Sequence, residues 1–209
     1  MSKNNLVEHA ERQVFRASFE DGLIDIGIAA FTLMFATAPL LSVNMGDFWS
    51  SFIFLPFYGL LYLLLRWVRR RFVEPRMGRV AFGPARIAKL RRGGVVMVVL
   101  NVIFLVIGAI TFFYPAGSGL LISLRLSASI LIFFSIAGYF YDLPQLYAYG
   151  LILALAIPGG EWLWQQGIAS HHGFPIVFGT ATGLIFLRGV YKYISLMRSS
   201  QPNFEDQSV

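Results

Sequence analysis

Long apolar runs broken by short polar stretches set the pattern of this chain. A hydrocarbon core about 30 Å thick is crossed by roughly 20 apolar residues at a rise of about 1.5 Å each. Six runs meet that requirement, at 22–43, 48–67, 94–113, 119–140, 144–164 and 174–195. They predict an all-α polytopic membrane protein, a six-helix transmembrane bundle over 22–195. Outside it lie an N-terminal segment at 1–21, a loop at 68–93 and a tail at 196–209, none long enough to bury a core of its own. Pro144 and Pro175 fall in the first turn of a predicted helix, where a missing N–H costs little. Trp49, Trp67, Trp162 and Trp164 fall at helix ends, the headgroup level that amphipathic aromatics favour.

Charge then orients the chain. Of the 17 Lys and Arg, all but Arg66, Arg125, Arg188 and Lys192 lie in 1–21, 68–93 and 196–209, and none lies in 44–47, 114–118 or 165–173. Positive segments stay cytoplasmic, which predicts an N-in/C-in topology in the cytoplasmic (plasma) membrane with the 68–93 loop inside. Composition agrees, at 56% hydrophobic and 13% charged, against roughly 25% charged in a soluble domain. The net charge of +6 is therefore an orientation signal, and no nucleic-acid partner is expected. Zero cysteines exclude disulfides, thiolate nucleophiles and Cys-type zinc sites. The first run reads as a retained span, since no short basic region and small-residue cleavage site frame it. Val7, Ala10, Val14 and Ala17 share one helical face of 1–21, which reads as a helix on the inner membrane surface or packed on the protein's own inner ends.

Polar groups inside apolar spans are candidates for function because each is costly unless paired. These are Asp25, Asn101, Arg125, Glu161 and Arg188, with Asp21 just ahead of the first span. The fourth and fifth helices are joined by three residues and must be antiparallel neighbours, so Arg125 and Glu161 are expected to meet. Asp25 and Arg188 either pair between the first and sixth helices or reach the interface separately. Ser170-His171-His172-Gly173 holds two neighbouring histidines with no fixed acid beside them in sequence, too few ligands for a metal centre. Gly179 and Gly183 make a small face on the sixth helix, suited to internal packing or a homodimer seam. No catalytic motif, cofactor site or internal repeat is present in the sequence.

The 68–93 loop is the most distinctive stretch. Pro75 and Pro84 bracket an alternating Arg79-Val80-Ala81-Phe82 segment that reads as extended, and 85–92 reads as one or two turns of basic helix. Residues 75–82 are expected to dock on the protein and 85–92 to lie on anionic lipid headgroups. Three stretches, Asp21-Gly22-Leu23-Ile24-Asp25-Ile26-Gly27, Phe54-Leu55-Pro56-Phe57-Tyr58 and Pro75-Arg76-Met77-Gly78-Arg79-Val80-Ala81-Phe82, together resemble an uncharacterised prokaryotic family of small multi-pass membrane proteins. That family has an acidic-Gly start to its first helix and a Tyr-Pro-Arg-x-Gly-Tyr-Val-x-Phe loop. Glu74 and Arg79 stand here where the loop has its tyrosines. The resemblance covers about residues 1–90 and implies no activity. It draws attention to Asp21, Gly22, Asp25 and the loop residues Pro75, Arg76, Gly78, Val80 and Phe82.

The sequence therefore points first to a non-enzymatic integral membrane protein acting through anionic lipid or partner-protein contacts at its basic cytoplasmic face. A small transporter or channel is the alternative. A third is an intramembrane lipid-modifying enzyme with Asp21, Asp25 and Arg76 facing the headgroup.

Overall fold

The computed structural model describes residues 19, 21–77, 83–113 and 119–199, and among them every regular element is helical. In order these are α1 (Leu23–Phe52), α2 (Phe54–Val68), a wider π-type turn (Arg69–Val73), α3 (Glu74–Met77), α4 (Pro84–Phe113), α5 (Gly119–Tyr141), α6 (Gln145–Gln165), a 3-10 turn (His171–Gly173) and α7 (Phe174–Ser199). Five stretches are long and apolar enough to cross a membrane: Leu23–Phe52, Arg86–Ile110, Gly119–Tyr141, Gln145–Gln165 and His171–Arg198.

The second predicted span, 48–67, is the one that differs. Gly46 leaves the helical region (φ 76, ψ 161) inside the predicted 44–47 loop. The helix resumes but breaks again after Phe52, because Pro56 has no N–H to donate to the Phe52 carbonyl. What remains as α2 is 15 residues, about 22 Å by helical rise, short of a full crossing. A second difference concerns the basic stretch 85–92, which is continuous with the third predicted span in one 30-residue helix.

The described residues within Met1–Thr32, Ser51–Ala81 and Thr182–Val209 form one compact unit, and those within Leu33–Ser50 and Phe82–Ala181 form another. In the first unit α1 and α2 run antiparallel: Gly27 abuts Leu65, while Tyr58 donates to the Phe31 carbonyl at 2.8 Å and their rings sit 5.1 Å apart. The start of α1 also runs antiparallel to α7. Gly22 (φ 78) meets the Gly189 carbonyl, and a Cβ on Gly189 would come within 2.9 Å of the Ile26 amide nitrogen. Farther along, Thr32 and Thr182 share a hydrogen bond of 2.9 Å.

In the second unit α5 and α6 form an antiparallel pair whose backbones approach at glycines, Gly138 against Tyr147 and Gly150 against Phe134. Pro158 sits within α6 and cannot donate to the Ala154 carbonyl, a vacancy that is expensive in an apolar interior. Ser127 of α5 fills it by donating to that carbonyl. The α5 C-terminus closes with Asp142 left-handed (φ 51) and a Leu143 N–H bond of 3.1 Å to the Gly138 carbonyl, with Leu143 buried beneath.

The glycine crossing at α1 and α7 makes a direct test. Gly22→Ala and Gly189→Ala each place a Cβ against backbone, and we expect a loss of about 1–3 kcal/mol, read as a lower melting temperature in detergent. Gly59→Ala and Gly108→Ala, whose Cβ atoms meet nothing within 4 Å, should hold or raise it.

Candidate functional site

Charge enters the buried parts of the protein at helix ends. At the start of α1, Asp21 and Asp25 are wholly inaccessible. Asp21 Oδ1 caps the helix by accepting from the Leu23 N–H at 2.9 Å. Asp25 sits in the first turn, where the helix dipole favours an anion, and its Oδ2 lies 3.3 Å from Lys192 Nζ on α7. Of the two expectations for Asp25 and Arg188, a pair between the first and sixth helices gives way to the Lys192 contact. Gly189 is the residue opposite Asp25. Lys192, three residues on, lies about 60° round α7 from it, and Arg188, about 100° round on the same side, is exposed. Burial pushes the Asp21 carboxyl above its ordinary range; the Leu23 N–H and the Arg69 charge oppose that, Asp25 adds to it and Lys192 opposes it again.

A second cluster gathers on Asp142, in the short connection between α5 and α6 and outside the polar residues predicted within the spans. Arg86, itself buried, pairs with Asp142 Oδ2, and Lys89 reaches both oxygens at 2.9 and 3.0 Å. Lys89 also lies over the Tyr139 ring, 5.1 Å from its centroid. Two of the four basic residues expected to face lipid therefore dock on protein, while Arg91 and Arg92 are exposed. The assignment of 85–92 to lipid is corrected to that extent. Burial pushes the Asp142 carboxyl up, but the hydrogen bonds from Lys89 and Arg86, and their charges, outweigh it and hold it below the usual carboxylate range.

The third cluster centres on Glu161 near the end of α6. Its carboxylate is buried, accepting from Gln165 Nε2 at 3.0 Å and pairing with His172 Nδ1 at 2.9 Å. These partners replace Arg125, which is exposed. The α5–α6 register explains it: Gly119 is the residue against Glu161 Oε1, and Arg125 lies six residues, about 9 Å, farther along α5. The fixed acid that the histidine pair lacked in sequence is thus supplied by the fold. His171 and His172 are both left-handed (φ 51 and 52), and the His172 ring lies 4.3 Å from that of Trp164.

The other candidates stand apart. Asn101 turns back to donate to the Met97 carbonyl at 2.9 Å and is exposed. Pro75 is exposed in α3; the Arg76 side chain lies outside the described residues, as do Gly78, Val80 and Phe82 and with them the segment 79–82 expected to be extended. No group of three or more His, Cys, Asp or Glu suited to a metal occurs among the described residues. Compared with known protein families, with curated proteins and with solved structures, the chain has no match.

Because the folded Asp142 carboxyl is held low, its contribution to stability is present above the ordinary carboxylate range, near pH 4, and is lost as pH falls through the folded value. Asp142→Asn should cost about 1–3 kcal/mol at neutral pH. It should also flatten the acid limb of a plot of melting temperature against pH.

Proposed function

We propose that the protein is an integral protein of the cytoplasmic membrane, crossing it six times with both termini inside. It acts without catalysis, by holding anionic lipid headgroups, and through them or beside them a protein partner, on its basic inner face. The observation that carries this reading is at the end of α2. Trp67 and Phe72 form an exposed edge-on pair, 5.6 Å between centroids, flanked by Arg66, Arg70 and Arg71, all exposed. An amphipathic ring pair set among arginines suits the headgroup layer, where each well-placed cation contributes about 1 kcal/mol against anionic lipid.

The six-span count rests on Gly46 as the turn between two antiparallel helices. The apolar run 48–67 supplies the 20 residues that a crossing needs. The two other readings draw less support. A lipid-modifying enzyme needs a headgroup to reach Asp21 and Asp25, and both are sealed from solvent. A transporter would use the polar residues spaced along α1 and α7, from Asp25 and Lys192 to Thr32 and Thr182. Between them Ala29 and Ile185 are almost wholly buried and fill the interior.

Single cysteines placed at 46 and 171 in this cysteine-free chain should label with an impermeant maleimide from outside intact cells, and one at 91 should not; labelling at 91 alone would reverse the topology. Purification in native-lipid discs followed by lipid mass spectrometry tests the lipid reading. We expect anionic lipid to be enriched on the wild type and the enrichment to fall on Arg70→Gln/Arg71→Gln. Equal lipid composition in the two preparations would sink it.

A further inference from the structure

Asp21 Oδ2 and both oxygens of Asp25 are buried and accept no hydrogen bond among the described residues. An ionised carboxylate so placed is costly unless something else compensates it. Asp25 has such compensation, from the first turn of α1 and from the Lys192 ammonium at 3.3 Å. Asp21 has less. The Leu23 N–H reaches only its Oδ1. The cations that act on it, Arg69 from the π-type turn and Lys192 from α7, do so through space, with Asp25 opposing them. Arg69 is in turn held over the Phe19 ring, 5.0 Å from its centroid. Among the described residues, Oδ2 is thus a wholly buried acceptor atom with neither a donor nor a contacting cation.

We propose that Asp21 Oδ2 is a proton-binding site, loading one proton from the aqueous side on which α1 begins, beside the Asp25–Lys192 contact. With the proton on, a neutral carboxyl caps α1 and one anion faces one ammonium. With the proton off, two carboxylates share that ammonium in a sealed space. The backbone leaves no room to relieve them, since Gly22 and Gly189 are already in contact and a Cβ on Gly22 would also reach the Tyr193 amide nitrogen at 3.0 Å. Release of the proton must therefore loosen the start of α1 from α7. The burial that pushes the Asp21 carboxyl up acts in the same direction. This inference does not depend on the lipid reading and goes beyond it.

Infrared spectroscopy of the full chain in lipid discs, as a function of pH, tests it through the carbonyl stretch of a protonated carboxyl. The expected spectrum at neutral pH contains such a band, which is absent from Asp21→Asn, a variant that keeps an oxygen to accept from Leu23. Asp25→Asn should keep the band but lose it at a pH about one unit lower, a tenfold weaker hold on the proton, because the opposing charge is gone. Lys192→Gln should keep the band to a higher pH, because a positive charge that opposes protonation of Asp21 is gone. Melting temperature gives a second readout. A raised folded value means the wild type loses stability as pH rises from the ordinary carboxylate range through that value, and Asp21→Asn should remove this slope. Absence of the band in the wild type, or its survival in Asp21→Asn, would overturn the proposal. So would its loss on adding sodium chloride at constant pH, which would make the occupant a metal cation.

Discussion

Backbone contact between the start of α1 and the middle of α7 is the constraint from which the chemistry of the first unit follows. Gly22 and Gly189 let two main chains touch, and no larger residue fits at either position. That closeness seals Asp21 and Asp25 from water, and it leaves Lys192 as the cation within reach of Asp25. A wider crossing would admit water, hydrate both carboxylates and make their pairing a matter of little energetic weight. The helix spacing decides how much each charge matters.

The second unit solves a similar problem with hydroxyl and carboxylate groups. Ser127 satisfies the carbonyl that Pro158 orphans, so the α6 proline is tolerated inside an apolar pair. Asp142 adopts the left-handed conformation that ends α5 and from that position gathers Arg86 and Lys89. One residue thus serves as a backbone terminator and as the centre of an ion cluster. At the other end of α6 the Glu161 carboxylate takes Gln165 and His172.

Much of the fold was legible in the sequence because apolar run length and turn residues are local signals. α5, α6 and α7 begin within one residue of the expected 119, 144 and 174. The break before α2 was missed because Pro56 lies within an apolar run, and run length carries no record of a lost hydrogen bond. Among site residues, Asp21, Asp25 and Glu161 were legible as costly polar groups. Their partners were not, since pairing depends on register between helices: Arg188 and Lys192 are one turn apart on the same side of α7, and it is Lys192 whose ammonium reaches Asp25. Asp142 is not legible as a site residue because it lies in a short connection outside the apolar runs, where an acid carries no evident cost. His172 was set aside for want of an acid, which arrives from α6, eleven residues earlier in the chain.

The continuity of α4 has a mechanical side. A helix of 30 residues is a rod about 45 Å long, and Arg86 and Lys89 fasten it to Asp142 near one tip. A lever held near its tip magnifies rotation. A tilt of about 10° at the Asp142 fastening would carry the opposite tip some 8 Å sideways, about two-thirds of a helix diameter. The Arg86 and Lys89 contacts to Asp142 thus bear on where the other end of α4 stands, together with the packing of Gly93 on Phe140.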